Sequence, residues 1–387
     1  MHLFKNFLLS FFGVLFLFSH CELISEERSS GFKPLFNGKN FSGWVPVNTA
    51  PTTWLIKDNM LICSGKPIGE LRTERMYQNF IMEVEWRHMK PKGNAGIFVW
   101  ADDITARGQP FHRGVEVQVL ENSYGNTRGY TTHGDIFPIH GATMTPVNGR
   151  GGSRAFPVEN RSRPSPEWNH YRIVCNDGNI SLAVNGKVVT KGKNSNPRKG
   201  YICIESEGGV VHYRNMIIKE LPNTPIKPEQ IAIMDRGYRC LYSGVDFSGW
   251  KAASGWRSHD WQFRFHGSKD EADTSLKSEE LFDDYGFIFD VRVSEETKPL
   301  AFQLRGKDIS AIQVAPDMYK GVLLLKGRNW NRFEGELRGN QLTLTLNDKK
   351  IFDGKKIDGL PVKGPIRIVP TGPISMANIY VRPLDKL

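Results

Sequence analysis

The sequence lacks the features that mark nucleic-acid-binding, redox and nucleotide-binding proteins. Although the net charge is +10, no five basic residues stand together, so nucleic-acid binding is not predicted. Five cysteines occur without a Cys-x-x-Cys pair or a zinc-ligand spacing, which excludes a zinc finger or a dithiol redox motif. Cys175 and Cys203 lie in apolar strand patterns, which is typical of buried free thiols. The sequence also contains no phosphate-binding loop and no Ser-His-Asp pattern.

Long hydrophobic runs are also scarce, and the longest extends from Phe7 to Phe18, shortly after Lys5. About twelve apolar residues are too few to span a bilayer well and match the core of a signal peptide. We therefore expect residues 1–30 to be a signal peptide and leader, and the protein to be exported to the periplasm or the extracellular space. An uncleaved N-terminal anchor is the alternative. No integral membrane domain is predicted beyond this segment.

The rest of the chain consists of two similar halves. Leu35-Phe-Asn-Gly-Lys-Asn-Phe-Ser-Gly-Trp44 is repeated as Leu241-Tyr-Ser-Gly-Val-Asp-Phe-Ser-Gly-Trp250, and seven shorter pairs follow in the same order. Blocks that recur in one order indicate a duplicated domain. We predict domains at residues 31–221 and 232–387, joined by a proline-rich linker at 222–231.

Both halves are predicted to be all-β. Val84 and Trp86 alternate with Glu83 and Glu85, which is the period of a half-buried strand. Asn-Asp-Gly at 176–178 and Asn-Gly at 185–186 are typical hairpin turns. No amphipathic helix of any length is evident. The pattern therefore predicts two tandem jelly-roll β-sandwiches, with the repeated tryptophans in their cores.

The strand at residues 113–121 carries the first candidate site. Val115 and Val117 alternate with Glu116 and Gln118, so one face is apolar and the other carries a carboxylate and an amide. These two polar groups lie roughly 7 Å apart, a spacing that suits one small polar ligand. A solvated sheet face is the alternative interpretation.

Differences between the two halves indicate which polar residues the fold does not require. A residue needed only for folding should survive in both copies, but four polar residues of the first copy are replaced in the second. The replacements are Glu116 by Ala311, Glu205 by Val369, Glu207 by Thr371 and His212 by Ser375, while Glu85 survives only as Asp290. Glu205 and Glu207 share one strand face. We therefore predict that the first copy carries the activity and that the second is non-catalytic.

The first copy also contains an insertion. Glu121 and Trp168 are 47 positions apart, whereas Ala315 and Trp330 are 15 apart. A long loop of this kind is usually functional or disordered. We interpret residues 122–166 as an ordered lid, with His133 and Asp135 as its candidate site residues. A solvated turn is the alternative.

Several of these blocks resemble a known family. They are the Phe-Asn-Gly opening at 36–38, Glu-x-Gln at 116–118, Glu-Trp-Asn at 167–169 and Tyr-Arg-Asn at 213–215. Together they resemble the domain of unknown function 1080, also called the 3-keto-disaccharide hydrolase or 3-keto-glucoside 1,2-lyase/3-keto-2-hydroxy-glucal hydratase domain. The resemblance implies a concanavalin A-like jelly roll, export, and action on oxidised sugars. This chain departs from many members by carrying Glu207, not His, before Gly208-Gly209.

The chemistry that the resemblance implies is removal of the proton on C2 beside a C3 carbonyl, followed by elimination of the group on C1 and hydration. A base of near-neutral pKa, an oxyanion partner and an acid are needed. We assign His133 as base, Arg87 as oxyanion partner and Glu116 or Glu207 as acid. Substrate binding is assigned to Glu85, Gln118, Asp135, Trp100 and Glu205.

Two alternatives remain open from the sequence. Glu85, Glu116 and Glu207 with His133 form an oxygen-rich set that could bind a divalent cation; no other cofactor is predicted. A concave face with Trp86 and Trp100 could instead bind a glycan without catalysis, as a lectin does, and each tryptophan could equally be a core residue. In either case the expected partner is an oxidised mono- or disaccharide or a glycan.

Overall fold

The structure is a computed structural model that describes residues 31–124, 133–267, 273–294, 300–306, 313–314 and 324–385. The predicted signal peptide at 1–30, part of the insertion at 125–132, and Ala311 lie outside the described residues. Among the described residues, no helix is long and apolar enough to cross a bilayer.

The described residues of the first half form fifteen strands. Their bounds are β1 (Lys33–Pro34), β2 (Trp44–Val47), β3 (Trp54–Lys57), β4 (Met60–Cys63), β5 (Gly69–Thr73), β6 (Phe80–His88), β7 (Gly96–Ala101), β8 (Gly114–Gln118), β9 (Ile136–Ile139), β10 (Thr143–Pro146), β11 (Asn169–Asn176), β12 (Asn179–Val184), β13 (Lys187–Asn196), β14 (Tyr201–Ser206) and β15 (Val211–Glu220).

The second half contributes thirteen described strands. They are β16 (Arg239–Cys240), β17 (Trp250–Ala252), β18 (Trp256–His259), β19 (Gln262–Phe265), β20 (Leu276–Ser278), β21 (Tyr285–Val293), β22 (Leu300–Gln303), β23 (Gln313–Val314), β24 (Asn331–Arg338), β25 (Gln341–Leu346), β26 (Lys349–Lys356), β27 (Arg367–Val369) and β28 (Ile374–Pro383). Helix in the described chain is confined to two 3₁₀ turns, Pro228–Gln230 and Leu304–Gly306.

Each half folds into two antiparallel sheets. In the first sandwich a nine-stranded sheet has the order β10-β13-β12-β11-β6-β15-β4-β3, with β1 beside β15, and faces a six-stranded sheet of order β2-β5-β14-β7-β8-β9. The second sandwich repeats both orders, as β26-β25-β24-β21-β28-β19-β18, with β16 beside β28, and β17-β20-β27-β22-β23. The predicted all-β fold with two jelly-roll sandwiches is confirmed.

Alternating side chains form the core between the sheets. Val84 and Trp86 on β6 pack in the same buried cluster as Val115 and Val117 on β8. The outer faces of the two sheets therefore carry the alternate residues of each strand. The hairpin turns also follow the sequence, because Asp177 and Gly178 have φ values of 50° and 74°, as a tight turn between right-twisted strands requires.

The repeated tryptophans divide into two classes. Trp44 and Trp250 are buried at the start of equivalent strands, and their Nε1 atoms donate to the carbonyl oxygens of Leu35 and Leu241 at 3.1 and 2.8 Å. Trp168 and Trp330 are only half-buried, so the prediction that they are core residues is wrong. Arginine guanidinium groups cover both rings on an outer sheet face.

The insertion at 122–166 contains two strands that join the sheets of the first sandwich. Its β9 extends the six-stranded sheet beside β8, and its β10 extends the nine-stranded sheet beside β13. The insertion therefore adds one edge strand to each sheet of the first sandwich. The interpretation of residues 122–166 as an ordered lid does not predict these two strands.

Candidate functional site

The outer face of the six-stranded sheet carries rows of polar side chains. Glu205 on β14 pairs with Glu70 on β5. Because Ile204 pairs with Ile97, Glu205 also lies beside Gly96 on β7. Gly96 in turn pairs with Gln118 on β8. Paired residues of antiparallel strands point to the same side, so this row presents Glu70, Glu205 and Gln118 together, with a glycine in the middle.

Gly96 leaves the space into which two carboxylates project. A Cβ atom added at Gly96 would lie 2.6 Å from Oε1 of Glu116 and 2.9 Å from Oε2 of Glu205. Both carboxylates therefore converge above the glycine. Oε2 of Glu205 is buried without a hydrogen-bond partner, and a ligand hydroxyl would supply the missing bond.

Amide side chains connect this pair to a third carboxylate, Glu207. The Asn94 amide donates to the carboxylate of Glu207. Gln118 Nε2 donates to Asn94 Oδ1 at 2.7 Å and to the carbonyl oxygen of Ala95 at 3.0 Å. We call Glu116, Glu205, Glu207, Asn94 and Gln118 the carboxylate site. Glu116, Glu205 and Gln118 are buried, and Glu207 and Asn94 are half-buried.

Burial separates the proton affinities of the three carboxylates. Burial, followed by the charge of Glu207, raises the pKa of Glu116 well above its usual range. Burial and the charges of Glu207 and Glu116 do the same for Glu205. Burial also raises the pKa of Glu207, but only to about 7, because a hydrogen bond with Glu205 opposes it. Burial thus favours the protonated forms of Glu116 and Glu205, and the pKa of Glu207 lies near neutrality; carboxyl groups whose environments differ in this way can act as acid and base.

The insertion completes one edge of the site. The carbonyl oxygen of Asp135 accepts from the backbone N–H of Gln118 at 2.9 Å, and the Asp135 carboxylate accepts from Arg154 Nη1 at 3.0 Å. The Arg154 guanidinium lies 3.4 Å from the ring centre of Phe137, and its charge opposes the rise in the pKa of Glu116. Asp135 is thus brought to the site, as predicted, together with an arginine that was not assigned.

Glu85 and Arg87 lie on the opposite side of the sandwich, so their predicted place at this site is wrong. They alternate with Val84 and Trp86 on β6 and point outward from the nine-stranded sheet. Glu85 accepts from Arg214 at 2.6 Å, and Arg87 covers the ring of Trp168 at 4.5 Å. Period-two alternation identifies a polar face but not the sheet to which it belongs, which is the reason for this error.

His133 also lies away from the carboxylate site. Its ring packs beside Trp86 and Tyr171 with centroids 5.5 and 5.9 Å apart, on the core side of β8. Nδ1 donates to the carbonyl oxygen of Leu120 at 2.9 Å, and burial lowers the pKa to about 4. His133 further lines a cavity of about 220 Å³ whose other described residues, including Glu121, are outside the carboxylate site.

Trp100 is a core residue and not a substrate contact. The side chain is fully buried, and Nε1 donates to the carbonyl oxygen of Gln78 at 2.8 Å. The core interpretation of Trp86, which is 2% exposed, is likewise the correct one. Of the nine predicted site residues, five meet at one place and four do not. Those that meet are Glu116, Gln118, Asp135, Glu205 and Glu207, and those that do not are Glu85, Arg87, Trp100 and His133.

The predicted cation ligands Glu85, Glu116, Glu207 and His133 are not brought together. Among the described residues a different group, Glu70, His112 and Cys203, places one donor atom each within 4.8 Å of the others. His112 Nδ1 forms a hydrogen bond with the Glu70 carboxylate and lies 3.7 Å from the Cys203 sulfur. Nitrogen, sulfur and carboxylate donors of this kind suit Zn²⁺. These ligands come from two strands and a loop, so no local spacing could have revealed them.

The first sandwich matches the model of a known protein family. Residues 31–219 match the family model described as the 3-keto-alpha-glucoside-1,2-lyase-like domain. No curated protein matches the chain significantly.

Several solved structures are similar to about half of the chain. A candidate glycosyl hydrolase from Parabacteroides distasonis is 21% identical, with 51% of this chain and 97% of that chain covered and a TM-score of 0.40. The β-glucanase of Bacillus licheniformis is 13% identical, with 50% of this chain and 100% of that chain covered and a TM-score of 0.34. A carbohydrate-binding module from Bacillus subtilis is 10% identical, with 46% of this chain and 96% of that chain covered and a TM-score of 0.33.

Proposed function

We propose that the first sandwich, which over residues 31–219 matches the model of the 3-keto-alpha-glucoside-1,2-lyase-like domain, cleaves the glycosidic bond of 3-keto-glucosides or 3-keto-disaccharides. The observation that carries the proposal is the convergence of Glu116 and Glu205 above Gly96, beside Glu207 with a pKa of about 7. Two protonated carboxyl groups and one poised base supply the acid, the hydrogen-bond donor and the base that elimination needs.

The first step removes a proton. Glu207, in its ionised form, takes the proton from C2 of the sugar, and the C2 electron pair moves toward the C3 carbonyl to give an enediolate. Burial raises the pKa of Glu205 and so favours its protonated form, which can donate a hydrogen bond to the developing oxyanion. A hydrogen-bond donor that is preorganised in a buried site stabilises the transition state far more than a donor in water does. Glu205 therefore takes the role that the sequence had assigned to Arg87.

The second step breaks the glycosidic bond. The C3 carbonyl re-forms, a double bond forms between C1 and C2, and the bond from C1 to the leaving oxygen breaks. Glu116 gives its proton to that oxygen, and the products are a 2-hydroxy-3-keto-glucal and the free alcohol. Addition of water across C1 and C2 gives the 3-keto sugar, so the net reaction is hydrolysis. Glu207 then returns its proton to solvent, and Glu116 regains one.

The test is to incubate the full chain with a 3-keto-disaccharide and to follow the sugar by proton NMR. We expect the unsaturated 2-hydroxy-3-keto-glucal, the hydrated sugar or both. Glu207→Gln should abolish turnover, and Glu85→Gln, which changes a carboxylate on the opposite face, should not. Retained turnover in Glu207→Gln contradicts the assignment of the base. If the unaltered protein binds the sugar but does not turn it over, a lectin-like function replaces the proposed enzymatic one.

Export is part of the same proposal, because residues 1–30 have the pattern of a signal peptide. N-terminal sequencing of the protein from fractionated cells tests this point. A soluble exported form that begins near residue 22 is the expected result, and recovery with intact residues 1–21 in the membrane fraction favours the anchor.

A further inference from the structure

A hairpin of the first sandwich lies between the carboxylate site and the second sandwich. It connects β7 to β8 and runs from Asp102 to Arg113; we call it the 102–113 hairpin. Ala106 N donates to the carbonyl oxygen of Phe111 at 2.8 Å, and Thr105 and His112 are partners in an antiparallel bridge. The tip of the hairpin and His112 are therefore parts of one short hydrogen-bonded unit.

Side chains of the second sandwich bind the backbone at the tip. Asn378 Nδ2 donates to the carbonyl oxygens of Ala106 and Gln109 at 2.9 and 3.1 Å, and its Oδ1 accepts from Thr105 Oγ1 at 2.7 Å. Asn378 is fully buried, so the hairpin excludes water from it. Both polar atoms of one amide thus bind the hairpin at three positions, 105, 106 and 109.

A buried ion pair binds the same tip. Asp290 accepts from Gly108 N at 2.7 Å and from two nitrogens of Arg332, each at 2.7 Å. Arg332 also donates to the carbonyl oxygen of Thr105 at 3.0 Å. Gly108 has a φ of +66°, and a Cβ added there would lie 2.1 Å from Cγ of Trp330. A side chain at position 108 would therefore collide with the second sandwich.

The other arm of the hairpin contacts the outer face of the six-stranded sheet. His112 N donates to Oε2 of Glu70 at 2.8 Å, and its ring forms a second hydrogen bond with the same carboxylate. Glu70 lies next to Glu205 in the sheet. Burial and the charge of Glu207 contribute most to the raised pKa of Glu116, and the charge of Glu70 adds to them. His112 thus contacts a carboxylate whose charge affects the pKa of Glu116 in the carboxylate site.

The equivalent surface of the first sandwich provides the contrast. Glu85, Trp168 and Asn215 occupy the positions of Asp290, Trp330 and Asn378 in the repeat. There Glu85 accepts from Asn215 Nδ2 at 3.1 Å, and Asn215 is exposed. The corresponding carboxylate and asparagine therefore lie on an outer face of the first sandwich and against the hairpin in the second.

We propose that the second sandwich is a positioning domain: Asp290, Arg332 and Asn378 fix the tip of the 102–113 hairpin and thereby hold His112 against Glu70. These are positioning residues, because none of them lies at the carboxylate site. The second sandwich then contributes to activity through the hairpin and needs no proton carrier of its own. The effect on activity rests on the proposed function, but the contact itself does not.

The test compares Asn378→Ala with the matched control Asn215→Ala, both in the full chain. The readouts are hydrogen exchange of the His112 amide and the ¹⁵N imidazole spectrum of histidine-labelled protein, with His112 assigned by its loss in His112→Ala. We expect exchange of this amide to rise at least about tenfold and its ring signals to shift in Asn378→Ala, with neither change in Asn215→Ala. Unchanged His112 signals in folded Asn378→Ala overturn the proposal.

Gly108→Ala provides a second route if Asn378→Ala does not fold. It alters the tip from the side of the first sandwich and leaves every residue of the second unchanged. The same rise in exchange at His112 is expected, and a change confined to residues 105–109 overturns the proposal. If no variant, including the unaltered protein, turns over a 3-keto sugar while His112 responds as expected, the proposed function fails and the positioning role stands.

Discussion

Replacing Glu207 by glutamine should make the protein more stable at pH 8 while it abolishes turnover. The pKa of Glu207 is about 7, against 4.5 for an ordinary glutamate, chiefly because of burial. Each tenfold difference in proton affinity is worth about 1.4 kcal/mol, so ionising Glu207 costs the folded state on the order of 3 kcal/mol. Glutamine carries no charge and can still accept the hydrogen bond from Asn94.

The direction of the pH dependence follows from the raised pKa. Below about pH 4.5 the carboxyl group is protonated in both the folded and unfolded states, and it contributes no difference. Between about 4.5 and 7 the unfolded state loses the proton first, so the free energy of unfolding falls as pH rises; above about 7 the loss is complete. Glu207→Gln lacks this loss, and its advantage over the unaltered protein should therefore appear across that window.

Calorimetry of both proteins at pH 5 and pH 8 measures the difference. For a domain of this size the stabilisation at pH 8 corresponds to about 6–12 °C in the melting temperature of the first sandwich. At pH 5 the two proteins should differ much less. Glu85→Gln is the control, because Glu85 is paired with Arg214 and its removal should bring no stabilisation at pH 8. Equal melting temperatures for Glu207→Gln and the unaltered protein at pH 8 refute the buried, high-affinity carboxyl group.

Further predictions concern the same face and the buried thiols. The value of kcat/KM on a 3-keto-glucoside should rise with pH to a plateau above about 7, since the base Glu207 must be ionised; a flat profile from pH 5 to 8 contradicts this. Glu116→Gln should lower kcat by roughly 10²–10⁴ while its circular dichroism is retained, and full activity would exclude the acid. Gly96→Ala should weaken sugar binding in calorimetric titration, because the added Cβ would lie 2.6 Å from Glu116 Oε1; unchanged affinity would place the sugar elsewhere. Burial raises the pKa of Cys63 to about 11, so this thiol should resist Ellman's reagent in the folded protein and react in urea; rapid labelling of the native form would contradict the buried location.

The fold could be predicted from the sequence because the patterns that indicate it are local. Alternation of Val115 and Val117 with Glu116 and Gln118, and the Asn-Gly turn at 185–186, depend only on neighbours in the chain. The repeat then required that both halves share one strand order, which they do. That the second sandwich belongs to the family whose model the first sandwich matches stays a prediction.

The site could be predicted from the sequence only in part, because its composition depends on which sheet each strand joins. Glu205 and Glu207 were recognised by comparison of the two copies, and they do meet Glu116. Glu85 showed the same kind of difference, yet β6 belongs to the other sheet, so it points away. Asn94 and Gly96 had no signal at all, since their importance comes from cross-strand neighbours that only the register defines.

The two edge strands of the insertion bear on the order in which the first sandwich folds. β9 pairs with the nearby β8, whereas β10 pairs with β13, whose residues follow more than 40 positions later in the chain. Long-range pairings form late, because closing the intervening chain costs entropy before any contact offsets it. We therefore expect β10 to dock only after the β11–β13 hairpins have formed. Pulsed hydrogen exchange during refolding would show this as protection of β10 that follows protection of the β11–β13 hairpins.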